Sequence, residues 1–319
     1  MKYLKLLRIL VSIFFIFILL FSMRGNFDIL ITYLKQTEMV YFITAVLLFI
    51  SIIIILSLRL KKIMEFQGVA ISLSNVVYLS LIGFFFNNFL PTSVAGDFVK
   101  AYYTARCTNK TMESYTSIVV DRILGVFAFI LIAIVALLLA DERIKTPIVT
   151  NSLISLVVIS LFLIFILSNK FISNHLYKIL LKTRLLTLGR AFQIFLKTVA
   201  RFRNNYKIIF FTISTSIISQ VISTLVVATL ARGLSINLPL ILIFLTLPII
   251  TTLSMLPSLN GLGIREGAYV FLLGSYIGKE KALAISILWL GVIIVVSIIG
   301  GIVYMLRSHF LKESKNNVE

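Results

Sequence analysis

The chain has 319 residues, 60% of them apolar, and a mean hydropathy of +1.07. Apolar runs of about twenty residues mark membrane spans, and they cover most of this sequence, leaving no polar stretch long enough for a separate nucleotide-binding or catalytic module. The net charge of +18 would point to nucleic acid in a soluble protein; in a membrane chain it marks cytoplasmic loops lying against anionic headgroups, so nucleic acid is not an expected partner.

The single cysteine, Cys107, excludes an internal disulfide and a cysteine-based metal cage. His175 and His309 stand far apart among basic residues and read as interfacial. Neither a metal nor a cofactor is expected.

The N-terminus, "MKYLKLLRILVSIFFIFILLFSMRGN", resembles a signal peptide but lacks a small-x-small cleavage site before Arg24. It reads as a retained first helix. Hydropathy predicts spans at 6–22, 39–58, 69–90, 118–140, 148–168, 208–230, 238–256 and 282–306, with a shorter apolar piece at 267–277. Lys2, Lys5 and Arg8 put the N-terminus inside, and the charge-balanced stretch from Arg24 to Glu38 is outside. Arg59, Lys61 and Lys62 return the chain to the inside.

Simple alternation then fails. Residues 170–207 carry nine Lys or Arg and no acid, so they belong in the cytoplasm, yet counting spans places them outside. The conflict is removed if residues 69–105 enter from the cytoplasm and return to it. Arg307, Lys312 and Lys315 raise the same conflict, removed if 238–278 enters from the outside and returns there. Both termini are then cytoplasmic. The fold class is all-α integral membrane, about eight transmembrane helices with two re-entrant or broken-helix hairpins. Residues 1–319 form a single polytopic membrane domain with weak halves at 1–147 and 148–319. The 170–207 segment spaces Phe192, Phe195, Leu196 and Val199 helically between Lys197, Arg201 and Arg203. It reads as a basic amphipathic cytoplasmic connector on an anionic leaflet, or as a solvated linker.

The hairpin turns, "LPTSVAGDFVKAY" and "LPSLNGLGIREGAY", are alike. Both begin Leu-Pro-Ser/Thr, pass through small residues, reach a base eight or nine positions after the proline, and end Ala-Tyr. One entering from each side would be an inverted repeat with broken helices near the midplane. Asn88, Pro91, Gly96, Pro257, Gly261 and Gly263 are the helix-break residues, by loss of a donor or by backbone freedom.

Charge accompanies each break: Asp97 and Lys100 in the first turn, Arg265 and Glu266 in the second, with Asp121 and Arg122 opening the span at 118–140. A charge at bilayer depth costs roughly 2.5–3.5 kcal/mol. Two readings follow. The charges form structural ion pairs, with Arg122 snorkelling to the interface, or Lys100, Arg122 and Arg265 bind lipid phosphate in a hydrated cavity, aided by helix N-termini. Asp97, Asp121 and Glu266 are then charge partners or coupling groups.

At these residues the sequence resembles a known family. "NNFLPTSVAGDFVKAYY", "DRILGVF" and "LPSLNGLGIREGAYVFLL" are similar to the motifs of the lysylphosphatidylglycerol synthase transmembrane region, a flippase-like domain, and occur in the family's order. The resemblance implies a bundle of about eight helices with re-entrant pieces that handles a polar lipid. The family's Gly-Gly-Asp followed by Arg is here Ala95-Gly96-Asp97 with Lys100, which lacks the bidentate fork of Arg. The family's soluble aminoacyl-transfer domain has no counterpart in this sequence, so lysyltransferase activity is not expected.

The reading is a flippase or transporter of a phosphate-bearing lipid, phospholipid or polyprenyl-phosphate, in the cell membrane, and not an enzyme. No Gly-x-x-x-x-Gly-Lys-Ser/Thr motif supports direct ATP drive. Alternatives are a polyprenyl-phosphate-dependent glycosyltransferase or a non-transporting partner of an envelope-lipid synthase. For the first, the extracytoplasmic acids are Asp28 and Glu38, without an Asp-x-Asp motif. A homo-oligomer or a synthase partner is compatible with either reading.

Overall fold

The computed structural model describes residues 27–89, 95–141, 146–168, 202, 205–256 and 261–307. The expected first helix at 6–22, Pro91, Pro257 and most of the 170–207 connector lie outside the described residues. Those described are helical, without strands, in ten helices. In chain order these are α1 (Phe27–Gln36), α2 (Met39–Phe66), α3 (Leu73–Phe89), α4 (Ala95–Thr108), α5 (Thr111–Leu139), α6 (Pro147–Ser168), α7 (Tyr206–Gly233), α8 (Leu240–Leu253), α9 (Ile264–Ile277) and α10 (Lys279–Arg307).

Long runs of Ile, Leu, Val and Phe fold this way because a helix satisfies its own backbone where water is absent. Helices α2, α5, α7 and α10 are long and apolar enough to cross a membrane. Two features depart from expectation. The span at 39–58 continues to Phe66, which brings Arg59 inside a helix. The charge-balanced stretch before it contains α1, with Asp28 in its first turn and Lys35 in its last, each favourable to the helix dipole.

The most extensive interface joins α2 to α7, so helices from the two expected halves interleave. Phe49, Ile53, Leu230, Val292 and Val296 form a core between α2, α7 and α10. A second core joins α8, α9 and α10 to α5, α6 and α7 around Leu245, Tyr269 and Ile285.

Two helical hairpins attach to this frame. In the first, α3 and α4 cross so closely that a Cβ on Gly96 would lie 2.0 Å from the Gly83 carbonyl oxygen. Asn87 Oδ1 accepts from the Gly96 N–H at 2.6 Å, tying the end of α3 to the start of α4. Asn88 donates to Ser297 Oγ at 2.7 Å and so anchors the tip on α10. In the second, α8 and α9 are joined through Gly261 (φ +77°) and Gly263 (φ +81°), a left-handed backbone that favours glycine. Pro248, inside α8, removes one of that helix's own donors.

The hairpins are rooted at opposite ends of α2. Lys110, just after α4, donates to the carbonyl of Gly68, just beyond the C-terminus of α2. At the other end, the Glu38 N–H donates to the Gly233 carbonyl at 3.2 Å, shortly before α8 begins.

The Gly83–Gly96 crossing makes a direct prediction. Gly96→Ala forces the two backbones apart, and overpacking of this kind costs about 1–3 kcal/mol. Thermal unfolding in detergent should shift down clearly. Gly267→Ala is the control: its Cβ would meet nothing within 4 Å, so its melting temperature should hold or rise.

Candidate functional site

Asp97 sits in the first turn of α4 and is only 4% exposed. A carboxylate is favoured there by the helix dipole. Lys100, one turn on, pairs with its Oδ1 at 2.8 Å, and Arg122 Nε reaches its Oδ2 at 2.5 Å from α5. One buried acid thus holds two cations from two helices. Arg122 is not at a helix end, since α5 begins at Thr111; its side chain nonetheless remains 43% exposed.

Its neighbour Asp121 makes a separate pair. Arg59, 5% exposed, donates from Nε to Asp121 Oδ1 at 2.7 Å and from Nη2 to Oδ2 at 2.8 Å. Its third nitrogen donates to Ser216 Oγ on α7 at 2.6 Å. Gly125 lies one helical turn along α5 from Asp121, and a Cβ there would stand 3.4 Å from Arg59 Nη1. A larger side chain would crowd the guanidinium.

The second hairpin repeats the theme with different bonds. Glu266 Oε2 accepts from the Gly263 N–H at 2.6 Å and so caps α9. Its Oε1 accepts from Arg265 Nε at 3.1 Å and Nη2 at 2.6 Å, with both residues buried.

These groups converge. Arg59, Lys100, Asp121, Arg122 and Arg265 all line one cavity of about 330 Å³. Asn87 from the first hairpin and Ser254 and Met255 from the second also belong to its wall. Helix α2 contributes from Phe49 to Leu60, near the middle of its length, and Phe84 and Trp289 add apolar surface.

The chain matches the lysylphosphatidylglycerol synthase TM region family over residues 5–301. It belongs to that family. It is also 32% identical over 124 residues to the UPF0104 membrane protein MJ1595 of Methanocaldococcus jannaschii, a match covering 38% of this chain and 37% of that protein. The aligned stretch is thus well under half of either. No solved structure matches.

Of the sequence-predicted residues, Lys100, Arg122 and Arg265 are brought to one cavity, and Asp97, Asp121 and Glu266 are their partners or immediate neighbours. Asn88, Gly96, Gly261 and Gly263 lie at the hairpin turns. Sequence reasoning missed Arg59, which had served only as a marker of the inside. Its signal was faint: one base two residues before Lys61-Lys62, slightly deeper in the helix. Gln220, a lone amide in an apolar span, was also passed over; it lines the cavity with Tyr269.

Breaking a buried pair by removing one partner costs about 3–5 kcal/mol, because a charge is left uncompensated. Asp121→Asn should therefore strongly lower thermal stability in detergent. The double variant Asp121→Asn, Arg59→Met should recover much of the loss. The exposed Lys62–Glu65 pair sets the baseline: Lys62→Met should change stability by less than about 1 kcal/mol.

Proposed function

We propose that this protein moves a phosphate-bearing membrane lipid across the bilayer, taking the headgroup into the cavity while the acyl or polyprenyl chains stay in hydrocarbon. One observation carries the reading: four cations, Arg59, Lys100, Arg122 and Arg265, held by only three carboxylates, line a single cavity in a largely apolar helical bundle. Such groups match phosphate by charge and by donor geometry. The exposed side of Arg122 gives a first point of contact.

In this reading about eight hydrophobic segments enter the bilayer, and the two hairpins turn back within it. Their lengths support this. Helices α4, α8 and α9 have 14 residues each, a rise of about 21 Å against roughly 30 Å of hydrocarbon. Their roots at opposite ends of α2 support entry from opposite faces, as an inverted repeat requires. The end of α2 that bears Lys61 and Lys62 and is met by Lys110 is cytoplasmic, as are both termini, and the membrane is the cell membrane. The basic 170–207 segment rests on the anionic leaflet.

Transport is favoured over headgroup transfer because each carboxylate at the cavity is already in an ion pair, which leaves it poorly placed to serve as a base. A second copy of the chain or an envelope-lipid synthase is compatible as partner.

Two measurements test the proposal. Arg122→Gln, at the most exposed cation, should slow phospholipid movement in proteoliposomes about tenfold or more while preserving the fold. This is the loss of one charge-assisted hydrogen bond of roughly 1.5–3 kcal/mol. Normal movement would remove Arg122 from the site. For topology, the exposed Cys107 should react with an impermeant maleimide from the cytoplasmic side. A cysteine replacing the exposed Asn237 in a Cys107→Ser background should react from the other side. Labelling of both from one face would end the opposed-hairpin reading.

A further inference from the structure

Little of the cavity wall is open to the outside. Among its described lining residues, Arg122 and Val126 on α5 and Met255 just after α8 are exposed, and the others are buried or half-buried. Arg122 and Val126 stand one turn apart on one face of α5. The mouth therefore lies between that face and the end of α8.

The height of the mouth is set by α5. This helix has 29 residues and is apolar enough to cross a membrane. By helical rise, Val126 lies about 22 Å from Thr111 and about 20 Å from Leu139. A mouth at the middle of a spanning helix opens on the flank of the bundle, toward hydrocarbon, and not at an aqueous end. The two helices create it by parting. They are in contact, and Ala133 and Ala136 of α5 share a core with Leu242 and Leu245 of α8. Nearer the cavity, Val126 remains 37% exposed and Met255 39%, so the seal ends between those levels.

The rim is apolar except for one base. Val119 and Leu256, both exposed, extend it beyond Val126 and Met255. The Met255 and Leu256 N–H groups donate to the Thr252 and Leu253 carbonyls, each at 3.1 Å. The Thr252 and Ser254 hydroxyls donate to the Pro248 and Ile250 carbonyls at 2.8 and 2.7 Å. Donors along this edge are thus engaged within the chain, as contact with hydrocarbon demands. An anion arriving from water would gain nothing from such walls. A hydrocarbon chain would pack on them and set a phosphate at its end beside Arg122.

Resting on the lipid-movement reading above, we infer that the gap between α5 and the end of α8 is a lateral doorway for alkyl chains. Val126 and Met255 hold the chains of the lipid while its phosphate passes Arg122. The ligand is a membrane amphiphile seated from the side, and its chains stay outside the charged part of the cavity.

The full chain carrying Cys107→Ser is reconstituted in phosphatidylcholine vesicles with trace acyl-labelled phosphatidylglycerol, and movement is read by quenching of the outer leaflet. Val126→Cys is added and reacted with benzyl methanethiosulfonate. The adduct should slow movement about fivefold or more, at the low end of what overpacking costs, and dithiothreitol should restore the starting rate. Met255→Cys, treated alike, should act in the same direction. Ile298→Cys is the control, at an exposed α10 position that does not line this cavity; its adduct should leave the rate unchanged. A second readout is independent of rate. Phosphatidylglycerol with a mid-chain diazirine should crosslink to α5 near Val126. Unlabelled phosphatidylglycerol in excess over the probe, but still minor in the vesicle, should suppress that crosslink and spare any near Ile298. An adduct at position 126 that leaves movement untouched, equal slowing by the adduct at position 298, or no competed crosslink on α5 would overturn the doorway while lipid movement stands. No movement by the unmodified chain beyond protein-free vesicles would overturn lipid movement and the doorway together.

Discussion

The contact on which the site depends is that of Asp97 with Lys100 and Arg122. A carboxylate that is 4% exposed in an apolar bundle is costly unless it is paired and hydrogen-bonded. Here it sits at a helix start, where the dipole favours it, and takes one cation from its own helix and one from α5. The same contact ties the first hairpin to a long helix. If the acid moved, both bases would lose their common anchor. The position of Lys100 and Arg122 on the cavity is therefore a consequence of burying Asp97.

Backbone geometry makes that burial achievable. Gly83 and Gly96 let α3 and α4 touch, and a Cβ on Gly83 would already press on the Lys100 side chain at 3.0 Å. Close helix contact through small residues is the usual solution where lipid gives no hydrophobic drive to association. The second hairpin reaches a similar result by another route. Two left-handed glycines turn the chain, and Glu266 spends one oxygen on the Gly263 amide and the other on Arg265. In both hairpins an acid in the first turn of the returning helix holds a base beside the cavity.

How much of this was legible in the sequence follows from range. The helices were visible because apolar runs of membrane length have few other outcomes. The breaks were visible because charge, proline and glycine interrupt those runs within a few residues. The convergence of Lys100, Arg122 and Arg265 was a conjecture, since nothing local reports a contact across more than a hundred residues. Arg59 illustrates the limit. In the run Arg59-Leu60-Lys61-Lys62 it reads as an interfacial base, and only the register of α2 against α5 and α7 turns it inward to Asp121 and Ser216. Helix α1 was missed for a different reason. At ten residues with both signs of charge it falls below any span criterion, and tertiary packing on α10 accompanies its formation.

The four cations do not have equal parts. Arg59 and Arg265 are 5% and 4% exposed, and each chelates an acid with two nitrogens. A phosphate could take them only by competing with a short buried pair, so their chief contribution is a fixed positive field and a rigid wall. Arg122 and Lys100 share one acid, Asp97, and Arg122 keeps 43% of its side chain exposed. Two positive charges on one negative leave a local excess where access is greatest. On the proposed reading, an arriving anion would complete that group without breaking a pair, and its departure would leave both cations on Asp97. Binding that neutralises the site without dismantling it is reversible, as the proposed movement of a headgroup would require.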